Sequence, residues 1–419
     1  MESNSQVTQL VDHLFRRESG KMIAVLSRLL GLSHLETAED IVQDALLQAM
    51  STWGFNGIPE NPEAWLYRVA RNKAIDRIRR EKKFREILPQ IKEEQSESDS
   101  ELALQPLFLD NEIQDSQLRM MFACCHPSIP QPSQVATILK TLCGLSTKEI
   151  ANAFLTTEET IQKRIYRARE KMATEKISLD MPEGNECRER TDAILQSLYL
   201  LFNEGYLPSQ HDNATREELC GEAMRLCHLL TKNPLTRFPR THALLALFCF
   251  QASRLGTRTN DQGQIILLKY QDRKKWNHLL IQQGYSCLEA AAEPFEISTY
   301  HLEAAIASLH AASKEFESTD WKSIYTMYEK LYQFNPSPIV AMNKAVAALY
   351  AFNPDKALEE MIAIDSLQRN HLYHACLGEI YLEIGNVSQA KQHFEKALQL
   401  TASASGQQLL RDKIASCKS

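Results

Sequence analysis

The sequence predicts an all-helical protein of several parts. Glycine and proline are sparse, at 14 and 15 of 419 residues, and the alternation typical of strands is nearly absent. Apolar residues instead recur at the spacing of a helix, about every 3.6 residues, along nearly the whole chain. A length of 419 residues exceeds one ordinary domain, and a hydrophobic content of 44% lets each domain bury a core. We therefore expect an all-α protein of about two to four domains.

Charge and cysteine content limit the class of protein. The net charge is −6 and the sequence pI is about 6.1, which on average argues against a general nucleic-acid binder. Most of the 10 cysteines sit inside apolar helical patterns, and no C-x-x-C pair occurs. The N-terminal stretch lacks the apolar core of a leader peptide, and no apolar run approaches the roughly 18 residues of a membrane span. We expect a soluble protein of the reducing cytoplasm.

The chain divides into four segments with predicted boundaries 1–86, 87–111, 112–180 and 181–419. The second segment contains KEEQSESDSE, with five acids and one lysine, so we expect a flexible acidic linker. The other segments carry helical patterns. In the first segment we predict helices at 7–30, 36–53 and 62–85, with a glycine-containing loop, GFNGIPE, at residues 54–60.

The third segment contains LSTKEIANAFLTTEETIQKRIYRAREKM at residues 145–172. Ser146 and Glu149 form a capping box, and Thr156 and Glu159 form a second one shortly afterwards. The turn between the two predicted helices is too short for a long antiparallel hairpin and is typical of a helix-turn-helix. Ala151 is small at the place where the helices would approach closely.

The second helix of this pair directs Ile161 and Ile165 inward and polar or cationic side chains outward. Arg, Lys and Gln can hydrogen-bond base edges in the major groove, and later cations can contact phosphates. A solvated cationic face on an ordinary packed helix is the alternative, but the two capping boxes and the short turn favour DNA recognition. The predicted DNA-contacting residues are Thr157, Glu158, Thr160, Gln162, Lys163, Arg164 and Arg167.

A second basic helix lies in the first segment. Of residues 62–85, nine are Lys or Arg and three are Asp or Glu. Leu66, Ala70, Ala74 and Ile78 recur at i+4 and predict a buried stripe. Two basic helices separated by a linker suggest two contacts on one nucleic acid. The predicted helix at residues 36–53, just before the first basic helix, is acidic. An acidic helix suits a basic protein partner, although charge alone favours an ordinary solvated face.

Together these stretches resemble a sigma-70-type factor of bacterial RNA polymerase, of the extracytoplasmic-function (ECF) group. AEDIVQDAL, at residues 38–46, resembles the helix of sigma region 2 that binds the polymerase clamp. NPEAWLYRVARNKAIDRIRR, at residues 61–80, resembles the helix that acts on the −10 promoter element. The stretch at residues 145–172 resembles the region-4 helix-turn-helix that reads the −35 element.

The resemblance implies a role for individual residues. It implies that the loop at residues 54–60 holds a flipped base, for which an aromatic ring and an amide are suited, and that the acidic linker follows the RNA path of the polymerase. The implied contacts to core polymerase are Asp40, Gln43, Asp44 and Leu47. The implied contacts to the −10 region are Phe55, Asn56, Trp65, Arg68, Arg71, Asn72, Asp76 and Arg79, although Trp65 also suits a place in the core.

The fourth segment resembles the C-terminal extension of one ECF subgroup, a helical, tetratricopeptide-like domain. A pattern near the chain end has the spacing of a tetratricopeptide unit, at Leu377, Gly378, Tyr381, Ala390, Phe394 and Ala397. Two polar stretches leave alternatives open. FNEGY, at residues 202–206, suits either a ligand pocket or a buried hydrogen-bond network. YQDRKKWN, at residues 270–277, suits either an ion pair of Asp272 with Arg273 beside a packed Trp276 or a contact surface.

Cys124, Cys125 and His126 raise the question of metal or redox chemistry. Adjacent cysteines have poor geometry for one tetrahedral site, and no second ligand pair stands at zinc spacing, so a structural role is favoured over a thiol sensor or a metal site. Pro127 follows directly, so we expect His126 to end a helix. Since no phosphate-binding glycine loop or catalytic signature is visible either, we expect no enzyme activity, no cofactor and no metal.

The sequence thus predicts a sigma factor that binds RNA polymerase core, recognises −35 and −10 elements of promoter DNA and initiates transcription. Its C-terminal domain is expected to regulate this activity, through an intramolecular contact with the sigma core or by transmitting a signal, and no membrane partner is expected. Two alternatives remain open. One is a helix-turn-helix regulator that acts without polymerase, and the other is a ligand-binding protein that works through its C-terminal domain.

Overall fold

Helices make up most of the structure. The computed structural model describes residues 2–87, 109–154, 156–206, 217–260, 262–293, 296–401 and 403–417. Within these ranges the strand-type pairing is limited to an isolated bridge between Thr259 and Ile265, so the predicted all-α class is confirmed. The chain forms two compact units, Met1–Leu201 and Phe202–Ser419.

The first unit contains the helices of the first and third predicted segments and most of the first helix of the fourth. These are α1 Glu2–Leu30, α2 Leu35–Asn56, α3 Pro62–Ile87, α4 Asp110–Cys124, α5 Gln131–Thr141, α6 Thr147–Ala153, α7 Glu158–Thr174 and most of α8 Gly184–Tyr206. Most of the predicted linker, residues 88–108, lies outside the described residues. Its last predicted positions are helical, because α4 already begins at Asp110.

The apolar stripe of α3 holds this helix against the rest of the unit. Leu66, Ala70 and Ala74 are fully buried, as predicted. Ile78 is only half-buried, and Ile75 is buried instead. The prediction at Ile78 was wrong because a strict i+4 spacing drifts by about 40° per step around a helix of 3.6 residues per turn, so it leaves the buried face.

The first and third segments pack together within this unit. A methyl group placed on Gly20 of α1 would lie 2.0 Å from the carbonyl oxygen of Leu142, just after α5, so the two backbones touch where a side chain has no room. Nearby, Nη1 of Arg28 donates to Glu112 and to Asp115 of α4, each at 3.0 Å. Close backbone contact and charge pairing therefore join α1 to the segment that contains the helix-turn-helix.

The second unit continues from the end of α8 as a series of helices. These are α9 Glu217–Lys232, α10 Pro239–Ala252, α11 His278–Ala290, α12 Thr299–Ala312, α13 Trp321–Phe334, α14 Pro338–Ala351, α15 Pro354–Ile362, α16 His371–Ile384, α17 Val387–Leu400 and α18 Ala404–Ser416. Between α10 and α11 the chain makes short 3-10 turns instead of a helix. Each helix in the described ranges of both units is too short or too polar to cross a lipid bilayer.

The residues of the predicted tetratricopeptide pattern pack α16 against α17. Leu377 and Phe394 are buried, and a methyl group on Gly378 would lie 2.4 Å from the Phe394 ring. Ala390 and Ala397 are also fully buried, whereas Tyr381 is half-buried. The small residues let two helices approach closely around one aromatic ring. The assignment to tetratricopeptide repeats stays a prediction.

Candidate nucleic-acid interface

The first capping box of the helix-turn-helix forms as predicted. Oγ of Ser146 accepts from the backbone N–H of Glu149 at 3.2 Å, and Oε2 of Glu149 accepts from the backbone N–H of Ser146 at 2.7 Å. These bonds satisfy two N–H groups that have no partner within the helix, so α6 begins at Thr147. Ile150 and Ala151 then turn into the core and fix α6 against the unit.

The second predicted capping box, Thr156 with Glu159, is wrong by one residue. The N-cap of α7 is Thr157, whose Oγ1 accepts from the backbone N–H of Thr160 at 3.3 Å. The N–H of Thr156 instead donates to the carbonyl of Ala151 at 2.9 Å, which closes the turn between the helices. Oε1 of Glu159 accepts from Lys163 Nζ at 2.7 Å, one helical turn further along.

The two sides of α7 separate as the sequence predicts. Ile161, Ile165, Ala168 and Met172 are buried. Among the predicted DNA-contacting residues, Thr160 and Arg164 are half-buried and the others are exposed. The guanidinium of Arg164 lies 5.4 Å from the centre of the Phe154 ring, which restrains it near the turn. The outer face therefore carries polar groups at its N-terminal end and cations further along, as in helices that lie in a DNA groove.

Two residues of α7 that sequence reasoning did not single out also matter. Tyr166 is exposed on the outer face, beside Arg167. Arg169 turns the other way and reaches α2, where its Nη2 donates to both carboxylate oxygens of Glu39, at 2.6 and 2.8 Å. The run of cationic residues in α7 does not by itself show which side chain makes a contact within the protein.

The basic helix α3 presents most of its predicted DNA-contacting residues to solvent. Arg68, Asn72, Asp76 and Arg79 are exposed, and Arg71 is half-buried. Trp65 is also half-buried, and its ring meets the buried Trp53 ring edge to face at 5.4 Å. The predicted ambiguity of Trp65 therefore has a structural basis, because one side of the ring packs on the core and the rest is accessible.

The prediction that Phe55 and Asn56 lie in a loop is wrong. Helix α2 continues through Asn56 and ends at Gly57, which has a left-handed φ of 83°. Without a side chain, glycine adopts that conformation readily and stops the helix. Phe55 is 92% exposed on the last turn, so the ring stands free in solvent at the start of the connection to α3.

The four residues predicted to contact polymerase share one exposed surface. Asp40, Gln43, Asp44 and Leu47 line a groove of about 480 Å³ between α2 and α3. The α3 side of the groove is formed by Lys73, Asp76, Arg77 and Arg80. Nζ of Lys73 lies 3.5 Å from Oδ2 of Asp44. The acidic edge of α2 thus stands directly beside the basic helix.

The cysteine pair lies inside the protein. Cys124 and Cys125 are buried, and burial raises the pKa of the Cys124 thiol to about 12. Because the thiolate is the reactive form of cysteine, this supports a structural role. Helix α4 ends at Cys124, two residues earlier than predicted, and the ring of His126 contacts the Ser128 hydroxyl at 2.8 Å. In the described ranges, no group of three or more His, Cys, Asp or Glu side chains is arranged to hold a metal.

Comparison with known families matches three parts of the chain. Residues 14–84 match Sigma-70 region 2, and residues 119–172 match Sigma-70, region 4. Residues 190–292 match a family of unknown function, DUF6596. The first match covers most of α3, the second covers α6 and most of α7, and the third begins within α8.

Several curated proteins are similar in sequence. An uncharacterised protein of Rhizobium meliloti (strain 1021), R00370, is 33% identical over 375 residues, which is 89% of this chain and 88% of that protein. The ECF RNA polymerase sigma factor SigW of Bacillus subtilis (strain 168) is 30% identical over 160 residues, 36% of this chain and 80% of SigW. The ECF RNA polymerase sigma factor SigE of Mycolicibacterium smegmatis is 26% identical over 162 residues, 38% of this chain and 59% of SigE. No solved structure matches.

Proposed function

Since this chain belongs to the ECF group of the sigma-70 family, we propose that it binds RNA polymerase core, recognises −35 and −10 promoter elements and starts transcription. The family is not enzymatic, so the protein acts by binding and positioning. The observation that carries the proposal is the helix-turn-helix of α6 and α7, whose outer face is polar and cationic within residues that match Sigma-70, region 4.

Helix α7 is the proposed reader of the −35 element. Thr157, Glu158 and Gln162 lie towards its N-terminus and are exposed, where they suit contacts to base edges. Lys163, Arg164 and Arg167 follow and suit phosphates on either side of the groove. Thr160 is half-buried and bonded to Thr157, so its part is to fix the first turn.

Helix α3 and the end of α2 are the proposed contact with the −10 element. The exposed Arg68, Asn72, Asp76 and Arg79 form the DNA-facing side, with Arg71 beside them. Phe55 on the last turn of α2 offers an unshielded ring on which an unpaired base can stack, and Asn56 next to it offers an amide for the base edge. Trp65 supports this surface through its contact with Trp53.

The groove between α2 and α3 is the proposed polymerase contact. Asp40, Gln43 and Asp44 offer hydrogen-bond acceptors to a basic surface, and the exposed Leu47 adds apolar area. The proposed route of the acidic linker along the RNA path of polymerase concerns residues outside those described.

In vitro transcription with bacterial core polymerase and a genomic promoter library tests the proposal. The expected result is a set of discrete start sites that share a two-part upstream motif. Arg167→Ala is expected to lower transcript yield by weakening upstream contacts, and Arg411→Ala, which removes an exposed arginine of the second unit, is expected to leave it unchanged. Absence of start sites together with absence of binding to core polymerase contradicts the proposal.

We further propose that the second unit is tetratricopeptide-like and regulates transcription by the first. The close α16–α17 pair around Phe394 supports the repeat assignment. A chain ending after Leu201, the last residue of the first unit, provides the comparison. Its transcription is expected to differ from that of the full chain, and equal start sites and yields under all conditions contradict the regulatory role.

A further inference from the structure

Two arginines of the second unit contact one tyrosine, and a third arginine lies near them. Tyr206, the last residue of α8, accepts a hydrogen bond at its Oη from Nε of Arg254 at 2.5 Å. The guanidinium carbon of Arg258 lies only 3.6 Å from the centre of the Tyr206 ring, so the two planes are in contact. Arg273 is close enough for the charge of Arg254 to influence its pKa. We call Arg254, Arg258 and Arg273 the arginine cluster. It lies where the polar stretches at residues 202–206 and 270–277 come together.

The chain path explains how the cluster forms. Helix α10 ends at Ala252, and a 3-10 turn at Leu255–Thr257 places Arg254 and Arg258 on either side of it. The carbonyl of Ser253 accepts from the backbone N–H of Asn277 at 2.7 Å, which ties this turn to the segment carrying Arg273. The cluster is therefore built by fixed turns.

Arg273 does not form the predicted ion pair with Asp272. Asp272 instead caps the 3-10 turn Arg273–Lys275, with Oδ1 accepting from the backbone N–H of Lys274 at 3.1 Å. Nη1 of Arg273 donates to the carbonyls of His310 and Ser313, at 2.9 and 3.2 Å. These contacts position the guanidinium but leave its charge without a carboxylate partner.

The positive charge of the cluster is not neutralised within the part of the chain that the structure describes. None of its three guanidinium groups has a carboxylate within 4.0 Å among those residues. Nη1 of Arg258 and Nε of Arg273 are buried and make no hydrogen bond there. Burial lowers the pKa of both arginines, and Glu317 offsets only part of this for Arg273. A buried cation without a partner is costly, which indicates a missing anion.

The other groups of the cluster do not compensate for this charge. Burial, with the charges of Arg254 and Arg273, lowers the pKa of His310 to about 3, so the imidazole is neutral and adds no charge of its own. Nε1 of Trp276 is a further buried donor without a partner among the described residues. The cluster is thus rich in donors as well as in positive charge.

We propose that the arginine cluster binds a small molecule that carries a phosphate or a carboxylate group. A guanidinium holds either group through two parallel N–H bonds in its own plane, which stays available when an aromatic ring covers one face, as Tyr206 covers Arg258. Tyr206 accepts from Arg254, so its own O–H is available to the anion. Arg254 and Arg258 are half-buried, so part of each side chain is accessible to solvent, and Gly256 between them is exposed.

This proposal is independent of promoter recognition, because it concerns the full-length protein without polymerase or DNA. The test measures thermal unfolding and isothermal titration calorimetry in inorganic phosphate and in succinate, each matched for ionic strength against chloride. A saturable rise of the unfolding temperature in phosphate alone assigns a phosphate-bearing ligand, and a rise in succinate alone assigns a carboxylate-bearing one. A rise in both assigns the shared oxyanion chemistry, and absence of any saturable effect beyond chloride overturns the proposal.

Substitutions separate an anion site from a structural arginine cluster. Arg258→Gln is expected to weaken anion binding by at least about tenfold, since hydrogen bonds to charged groups are strong. It is also expected to leave the unfolding temperature in chloride unchanged or higher, because it removes an unneutralised buried charge. Arg411→Gln makes the same charge change at an exposed site of α18 and is expected to keep full affinity. Equal anion response of the two variants overturns the proposal.

A second variant keeps the test valid if Arg258→Gln does not fold. Arg254→Gln affects a half-buried side chain and is expected to weaken anion binding to a similar extent while far-ultraviolet circular dichroism stays native. Full affinity in folded Arg254→Gln overturns the proposal, because this arginine is the one that donates to the Tyr206 hydroxyl within the cluster.

Discussion

Nη2 of Arg169 in the helix-turn-helix donates to both carboxylate oxygens of Glu39 in α2, at 2.6 and 2.8 Å. The two residues are 130 positions apart in the chain. Both side chains are largely buried, with exposures of 21% and 16%. The pair lies next to functional surfaces on both helices, since α7 carries the proposed −35 contacts and α2 the proposed polymerase contacts. It therefore joins the two parts of the first unit that match different sigma regions.

Replacing Arg169 by methionine should loosen this junction. Arg169→Met keeps much of the side-chain length but leaves the buried Glu39 carboxylate without its cation, which costs about 1–3 kcal/mol when a charged hydrogen-bond partner is lost. We expect faster amide hydrogen exchange in α7 and α2 of the full chain, measured by mass spectrometry.

Lys163→Met is the matched control for this change. Lys163 also pairs with a glutamate, but the two side chains are 63% and 74% exposed, so the pair contributes only about 0–1 kcal/mol. Equal exchange rates in the two variants would show that the Arg169 pair does not hold the helices together.

The same pair predicts a pH dependence of stability. Burial raises the pKa of Glu39 above its ordinary value of 4.5, and the charge of Arg169 offsets only part of that. The folded protein binds the carboxyl proton of Glu39 more tightly than the unfolded protein does. Protonated Glu39 therefore contributes stability below about pH 4.5, and this stability is lost as the pH rises through the raised pKa of the folded protein. The unfolding temperature of the wild type relative to Glu39→Gln should therefore fall as the pH rises from below 4.5 towards neutrality.

Differential scanning calorimetry of both proteins across this range checks the sign. Carboxyl groups far from this pair contribute equally to both proteins, so the difference reports on Glu39 and its immediate neighbours. If the unfolding temperature of the wild type instead rises relative to that of Glu39→Gln as the pH increases, the ion pair with Arg169 outweighs the cost of burying Glu39, and the prediction is wrong.

The groove between α2 and α3 predicts the effect of removing its acids. Asp40→Ala with Asp44→Ala should weaken binding to core polymerase by about tenfold or more, since both carboxylates face a basic partner in the proposal. Folding should be nearly unaffected, because the pair of Asp44 with Lys73 is exposed and worth about 0–1 kcal/mol.

Affinity for core polymerase, measured by fluorescence anisotropy of labelled protein, tests this expectation. Asp12→Ala with Asp180→Ala removes two exposed aspartates of the same unit outside the groove and serves as the control. Wild-type affinity in the groove variant would remove α2 from the proposed polymerase contact.

Sequence reasoning worked where partners are close along the chain. The Ser146–Glu149 box forms because its partners are three residues apart, and Oε2 of Glu149 stays on the N–H of Ser146 although Arg16 lies 3.7 Å from Oε1. The next box was misplaced because Thr157 caps as well as Thr156, and Lys163 competes for Glu159 at i+4. When two similar residues are adjacent, as Thr156 and Thr157 are, the local sequence does not show which of them caps the helix.

Contacts between distant segments were not predictable from local patterns. Nothing in the run of cations at residues 163–171 sets Arg169 apart, because its partner Glu39 belongs to another segment. Arg254 and Arg258 were missed for the same reason, since they meet Tyr206 only in the folded second unit. The spacing of apolar residues in α3 predicted its buried face correctly at Leu66, Ala70 and Ala74. It failed towards the end of that stripe, where Ile78 turns away from the core and is half-buried.

Two glycines of the second unit should respond in opposite ways to replacement by alanine. In Gly378→Ala the added methyl group would lie 2.4 Å from the Phe394 ring, and that ring is fully buried and cannot turn aside. Helices α16 and α17 must then separate, at a cost of about 1–3 kcal/mol for overpacking. Gly221 is the fifth residue of α9 and has no heavy atom within 4 Å of the added methyl group. Gly221→Ala should therefore stabilise the same unit by about 0.5–1 kcal/mol through the lower conformational freedom of alanine. Calorimetry of the full chain measures both, and a Gly378→Ala protein as stable as wild type would mean that close approach at Phe394 does not hold this helix pair together.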